Sequence, residues 1–113
     1  MPEADNLYAG IPEKVLRDIE FTEILHHSQL VRIERIISTG QVSPEGFWYD
    51  QAEDEWVALL DGEAEIAFSD QPAIRLTRGD HLLIPAHCRH RVSFTSTNPP
   101  AVWLAVFIRK FAE

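Results

Sequence analysis

The chain has 113 residues, 45% of them hydrophobic and 25% charged, a composition typical of one globular domain with its own core. Ten lysines and arginines against eighteen aspartates and glutamates give a net charge of −8, which disfavours binding to nucleic acids and to anionic membranes. The single cysteine, Cys88, excludes an intrachain disulfide and a zinc cage built from cysteines.

The sequence also lacks the patterns that direct a chain into or across a membrane. No apolar run approaches the ~18 residues that cross a bilayer, and the N-terminal MPEADNLYAG has no basic and apolar regions of a signal peptide. We therefore expect a cytoplasmic protein that binds neither membrane nor nucleic acid.

The first 29 residues differ from the rest and are predicted to form an N-terminal extension. Pro12 suits the first turn of a helix, and Val15, Leu16 and Ile19 recur at helical spacing. We expect a short, weak helical turn here, followed by an extended segment, and place the main domain at residues 30–113.

From Leu30 onward, short strands alternate with turn residues. In chain order the predicted strands are VRIERIIS, FWYDQ, EWVALL, EAEIAF, AIRLT, HLLIP, HRVSFT and AVWLAVFI. Asp61 and Gly62, between the third and fourth strands, are typical of a hairpin turn. Eight or so short strands with little helix predict an all-β sandwich or barrel, and periodicity does not distinguish the two.

One carboxylate of the acidic stretch FWYDQAEDEWVALLDG differs from the others. Strand alternation places Glu55 on the same face as Val57 and Leu59, and a carboxylate that heads an apolar stripe calls for a cation. The three other acids are interpreted as solvated: Asp50, Glu53 and Asp54.

His90 differs in the same way from the other histidines, because it shares a face with Val92 and Phe94 and is predicted to be buried. A buried imidazole needs either a hydrogen-bonding neighbour or a metal ion. His26 and His27 have no ligand-spaced partner and are interpreted as surface or packing residues.

Arg35 interrupts the more apolar face of VRIERIIS. If it points inward, it suits a ligand that carries a carboxylate, through bidentate pairing. If it points outward, it is an ordinary salt-bridge partner for Glu34 or its neighbours, and the pattern leaves both alternatives open.

These segments resemble a small single-domain cupin over roughly residues 30 to 108, close to a subgroup with WYDQ…EDEWV and IPAH..HRV segments. Gly79, Pro85 and His90 match the second cupin motif, and the spacing from Glu55 to Gly62 matches the end of the first. The resemblance implies a jelly-roll β barrel, in agreement with the strand count.

The chain departs from the metal-binding cupins in the first motif, where WYDQ stands in place of the His-x-His pair. The resemblance implies one divalent ion, zinc, iron, manganese or nickel, held by Glu55 and His90 with Gln51 or His87 as a third ligand. In the alternative, the barrel is metal-free and Glu55 and His90 hydrogen-bond each other.

Two function classes follow from the resemblance. In the first, the chain is a metal-dependent enzyme that acts on a small molecule oriented by Tyr49 and Arg35, with a reaction that the fold does not specify. In the second, it binds or senses a small ligand without metal or turnover. A third hypothesis is an interaction protein whose pocket is only a satisfied polar core.

The resemblance also implies a homodimer. Four aromatic residues are predicted on faces opposite the pocket, where they would form the interface: Trp48, Trp56, Trp103 and Phe107. The alternative is that the second sheet of the barrel buries them within one subunit.

Overall fold

The computed structural model describes residues 2–11, 15 and 19–110, and in this part of the chain the secondary structure is almost entirely strand. The strands are β1 (Phe21–His27), β2 (Val31–Ser38), β3 (Asp54–Asp61), β4 (Ala64–Phe68), β5 (Ile74–Leu76), β6 (His81–Ile84), β7 (His90–Thr95) and β8 (Ala101–Ile108). They form a five-stranded antiparallel sheet of order β1-β2-β8-β3-β6 and a three-stranded sheet of order β5-β4-β7. Among these residues, no helix is long and apolar enough to span a membrane.

The two sheets share one core, in which Val57 and Trp103 of the larger sheet join Ile66 of the smaller. Alternating strands that bury one face against a second sheet are the pattern of a jelly-roll barrel. The predicted all-β fold is therefore confirmed, and strands β2 to β8 coincide with seven of the predicted segments.

The predicted strand FWYDQ is wrong, because in this segment only Tyr49 forms a bridge, to His90. The chain runs along the free edge of β7, where the backbone N–H groups of Ser43 and Tyr49 donate to Val92 and His90. However, the N–H of Val92 donates to the Ser43 hydroxyl rather than to a backbone carbonyl. The Ser43 side chain thus accepts the hydrogen bond that a backbone carbonyl would accept in a regular antiparallel strand pair, and no regular strand forms.

The extended part of the N-terminal segment forms the edge strand β1, which pairs with β2 from Phe21 opposite Ile37 to His27 opposite Arg32. The predicted helical turn falls mainly on residues 12–14 and 16–18, which lie outside the described residues. Earlier in the chain, the Tyr8 hydroxyl donates to the carbonyl of Leu60. Part of the predicted extension therefore belongs to the larger sheet or contacts β3.

Strand register decides which side chains face the space between the sheets. Glu55 of β3 lies opposite Phe107 of β8, and Leu59 lies opposite Trp103. All four belong to the interior face, whereas Trp56 faces outward with Leu83, its partner on β6. The prediction that placed Trp103 and Phe107 opposite the pocket is wrong. Both faces of β8 are apolar, so the alternation of side chains along this strand does not indicate which face is directed inward.

Gly62 and Gly79, the glycines of the two cupin-like motifs, both adopt positive φ angles, 78° and 94° respectively. A Cβ atom built on Gly62 would collide with the carbonyl oxygen of Pro100 and lie 2.7 Å from the Ser96 hydroxyl. A Cβ atom on Gly79 would meet nothing within 4 Å. Of these two glycines, Gly62 alone is required by close packing as well as by its backbone angle.

We expect Gly62→Ala to lower the free energy of unfolding by about 2–5 kcal/mol, because the cost of a left-handed backbone adds to that of overpacking. Gly79→Ala, the control with the same chemical change, should cost only about 1–2 kcal/mol. Urea denaturation of both variants measures the difference. Equal losses would contradict the steric role of Gly62.

Candidate functional site

A cavity of about 410 Å³ lies between the two sheets, a volume within the range that accommodates small organic ligands. One part of its wall is apolar and includes Val57, Ile66 and Phe107. The other part carries the charged side chains Glu20, Arg32, Glu34, Glu55 and His90. Among the residues predicted for a site, the cavity brings together Glu55, His90, Tyr49 and Gln51.

His90, the first residue of β7, is only 4% exposed and has a fixed ring orientation. Its Nδ1 lies 2.8 Å from the backbone oxygen of Cys88. Because a carbonyl oxygen can only accept, Nδ1 carries a proton and donates it. The other ring nitrogen, Nε2, is therefore directed at Glu55, whose Oε1 is 3.5 Å away.

The charge of His90 follows from these contacts. Burial lowers the pKa of His90, but the hydrogen bond to Glu55, the hydrogen bond to the Cys88 carbonyl and the negative charge of Glu55 act against it, and the net shift is upward from 6.5. The imidazolium form is thus favoured beside a carboxylate. The pair offers a proton donor and a proton acceptor at one point of the cavity wall.

Tyr49 packs against His90 with ring centroids 5.4 Å apart and planes inclined by 25°. Its backbone exchanges two hydrogen bonds with His90, at 2.7 and 3.2 Å, which hold the ring in place. Burial raises the pKa of Tyr49, as do the carboxylates of Glu20 and Glu55, while a hydrogen bond with Ser43 lowers it. The net shift is upward, so the phenol keeps its proton and can donate it to a ligand.

His87 does not reach the cavity. Its ring is 69% exposed, and its Nδ1 lies 2.8 Å from the Asp50 carboxylate at the surface. The backbone of His87 has a φ of 63°, in the left-handed region that glycine adopts without steric cost and that other residues rarely adopt. The structure therefore contradicts the expectation that His87 supplies a nitrogen beside His90.

Arg35 also lies outside the cavity, which contradicts the hypothesis that it orients a ligand there. Its Nη1 donates to the carbonyls of Leu7 and Ala9, at 3.1 and 2.8 Å, and its Nη2 pairs with Glu23 at 2.9 Å. It is 5% exposed, so it is buried on the outer face of the sheet beneath the N-terminal segment. The outward alternative is correct, with Glu23 rather than Glu34 as the partner.

The cavity-facing side of β2 instead carries Arg32, Glu34 and Ile36, which sequence analysis did not select. The alternation of apolar and polar residues in β2 predicted the wrong inward face, because the more apolar face of this strand packs outward. Glu20, just before β1, was also missed, and its carboxylate accepts a 2.6 Å hydrogen bond from the Ser38 hydroxyl. Two charged residues side by side on the polar face of VRIERIIS were the signal available for Arg32 and Glu34.

The remaining acids of the FWYDQAEDEWVALLDG stretch are not simply solvated. Asp54 accepts a 2.8 Å hydrogen bond from the backbone of Ala86 and lies 3.7 Å from the Lys110 ammonium group. Glu53 lies 3.4 Å from Arg32 and 3.8 Å from Arg109. These contacts tie the beginning of β3 to β2 and to the segments that follow β6 and β8.

The donor set does not fit a resident divalent metal. Within residues 2–11, 15 and 19–110, no group of three or more histidine, cysteine, aspartate and glutamate side chains converges. Glu55 and His90 are directed at each other, and Gln51 would add only an amide oxygen. Catalytic zinc sites take three strong protein ligands, so two carboxylate and imidazole donors with one amide form a poor site.

Three solved structures are similar in fold to this chain. A presumed mannose-6-phosphate isomerase from Ralstonia eutropha is 44% identical, with a TM-score of 0.89 and coverage of 96% of this chain and 100% of that chain. A cupin superfamily protein from Desulfitobacterium hafniense is 24% identical, with a TM-score of 0.71 and coverages of 85% and 83%. An RmlC-like cupin with a double-stranded β-helix fold, from Methanocaldococcus jannaschii, is 16% identical, with a TM-score of 0.68 and coverages of 84% and 86%.

The second and third similarities show the fold alone. Among curated proteins, no match to this chain is found. The sequence model of the family described as "Cupin domain" matches residues 35–107, a range that includes β3 to β7 and both motifs around the cavity. The chain belongs to the cupin family.

Proposed function

We propose that the chain binds a small organic molecule with hydroxyl and carbonyl groups in the cavity, and that Glu55 and His90 transfer protons on it without a metal ion. The observation that carries this proposal is the 3.5 Å approach of His90 Nε2 to Glu55 Oε1 inside a cavity of about 410 Å³. The name of the Ralstonia eutropha protein, a presumed sugar-phosphate isomerase, supports a hydroxy-carbonyl compound as the substrate.

Such a pair can perform an aldose–ketose isomerisation. The Glu55 carboxylate removes the proton from the carbon next to the carbonyl, while the His90 imidazolium protonates the carbonyl oxygen, which produces an enediol. Return of one proton to the neighbouring carbon and of the other to His90 gives the isomer, with no net loss of atoms or electrons. The Tyr49 phenol and the Gln51 amide line the same cavity and can orient the hydroxyl groups.

We expect the wild-type protein to interconvert D-mannose and D-fructose, followed by ¹H NMR, and to keep this activity after dialysis against EDTA. Glu55→Gln should lower the rate by about 10²–10⁴-fold, the usual contribution of a general base. Asp50→Asn makes the same carboxylate-to-amide change at an exposed residue that does not line the cavity, so it should leave the rate unchanged.

Two results would contradict this proposal. Near-stoichiometric metal in protein purified without chelator, lost in both Glu55→Ala and His90→Ala, would restore the metal-dependent hypothesis. Ligand-induced shifts in the NMR spectrum without turnover, abolished by Glu55→Gln, would identify a binding or sensor protein instead.

The His90–Glu55 pair also predicts a pH dependence of stability. Since the pKa of His90 is raised in the folded protein, its stabilising contribution is complete below the unfolded pKa and is lost as the pH rises through the folded pKa. We expect the NMR signals of the His90 imidazole to titrate at a higher pH than those of a free histidine. In Glu55→Gln the pKa should fall, because burial persists and the carboxylate charge is gone.

Two-dimensional NMR of the imidazole rings across the pH range measures the pKa of His90. Urea denaturation at the same pH values measures the change in stability. Asp50→Asn again provides the control, since Asp50 contacts His87 and not His90. An unchanged His90 titration in Glu55→Gln would exclude the ion pair.

We also propose that the chain forms a homodimer through the outer face of the five-stranded sheet. Cross-strand partners Leu83, Trp56, Val106 and Ile33 form one row across β6, β3, β8 and β2. Leu83 is 55% exposed and the three others are partly exposed, and an apolar row that solvent reaches is typical of an association surface. A two-fold axis would pack this row against its own copy.

Leu83→Lys should weaken the dimer at least about tenfold, because it places a charge at the most exposed residue of the apolar row. Gln71→Lys adds the same charge at an exposed position away from that row and should have no effect. Size-exclusion chromatography with light scattering reports the mass. A monomeric wild-type protein at micromolar concentration would refute the proposal.

A further inference from the structure

We infer that the cavity selects uncharged or cationic ligands and rejects phosphorylated ones, with Glu34 as the residue that sets this preference. The inference rests on the proposed binding of a hydroxylated molecule in the cavity and deepens it. It also separates this chain from the substrate in the name of its 44% identical relative, which carries a phosphate.

The contacts of Arg32 are the first support. Among the described residues, Arg32 is the only guanidinium that lines the cavity. Its Nε donates to Glu34 at 2.7 Å, its Nη1 approaches Glu53 at 3.4 Å, and its central carbon lies 4.3 Å from the centre of the Phe107 ring. A phosphate binds a guanidinium through two parallel N–H groups, and in Arg32 two of the three nitrogens, Nε and Nη1, already contact carboxylates.

The balance of charge in the cavity is the second support. The described wall contains three carboxylates, Glu20, Glu34 and Glu55, against Arg32 and the titratable His90. The Ser38 hydroxyl holds the Glu20 carboxylate at 2.6 Å, so Glu20 cannot easily turn away from a ligand. A phosphate dianion would meet this excess of negative charge in a space of low dielectric, where repulsion is strong.

The third support concerns what the cavity accepts. The side chain of His90 is 6% exposed, and its Nε2 makes only a long 3.5 Å contact with Glu55. A ligand hydroxyl at this point can accept a hydrogen bond from Nε2 and donate one to Glu55, and a ligand ammonium group can donate to the Glu55 carboxylate. The Trp103 and Tyr49 rings line the same space, and aromatic faces attract cations. Neutral and amino-substituted hydroxy-carbonyl compounds fit these features.

The test compares three probes of one skeleton, D-mannose, D-mannosamine and D-mannose 6-phosphate, by NMR titration of the wild-type protein. We expect the phosphate to bind at least about tenfold more weakly than the two others. Glu34→Gln removes one carboxylate and releases Arg32, so it should reduce this difference by about tenfold or more. Glu53→Gln is the control, because Glu53 contacts Arg32 from outside the cavity and should change the preference much less.

Salt dependence provides a second measurement on the wild-type protein alone. Raising the ionic strength from about 0.05 M to about 0.5 M screens charges, so the affinity for the phosphate should increase if the cavity repels it. A decrease would mean attraction and would overturn the inference.

The outcomes distinguish the inference from the proposed function. Equal or tighter binding of the phosphate in the wild type overturns the charge preference and leaves binding of hydroxylated ligands intact. If none of the three probes binds, the proposed function fails, and inorganic phosphate then tests the charge preference. Binding of inorganic phosphate to Glu34→Gln but not to the wild type would support the role of Glu34, and binding to the wild type or to neither would overturn it.

Discussion

The hydrogen bond from His90 Nδ1 to the Cys88 carbonyl is the contact on which the arrangement of polar groups in the cavity depends. A carbonyl accepts only, so this bond selects one protonated nitrogen and leaves the other directed at Glu55. Without it, the imidazole could turn and the carboxylate would lose its partner. The backbone bonds between Tyr49 and His90 stabilise the same arrangement from the loop side.

Two arginines of β2, three residues apart, show how strand alternation separates structural from functional charge. Arg35 is directed outward and attaches the N-terminal segment to the sheet through backbone carbonyls and Glu23. Arg32 is directed into the cavity, where Glu34 neutralises it. The same residue type therefore attaches the N-terminal segment on one face and lines the cavity on the other.

Much of the fold could be predicted from the sequence, because turn residues and alternation mark strands locally. The segment FWYDQ failed because the chain beside β7 offers Val92 a side-chain acceptor, the Ser43 hydroxyl, in place of a backbone carbonyl, and the local pattern contains no information on that contact. Glu55 and His90 were identified because each is a polar residue in an apolar stripe. Sequence analysis did not identify Arg32, Glu34 and Glu20. The cavity wall is polar where these residues lie, so the rule that apolar faces point inward fails there.

The sequence by itself determined strands β2 to β8, the two motif glycines and the pair of polar residues that lie inside the barrel. Only the tertiary structure decided that His87 and Arg35 lie outside the cavity, that Trp103 and Phe107 lie inside, and that Arg32 is already paired. The physical reason is that alternation identifies two faces of a strand but not which of them meets the second sheet. That choice depends on pairing between distant strands, as β2, β8 and β3 show.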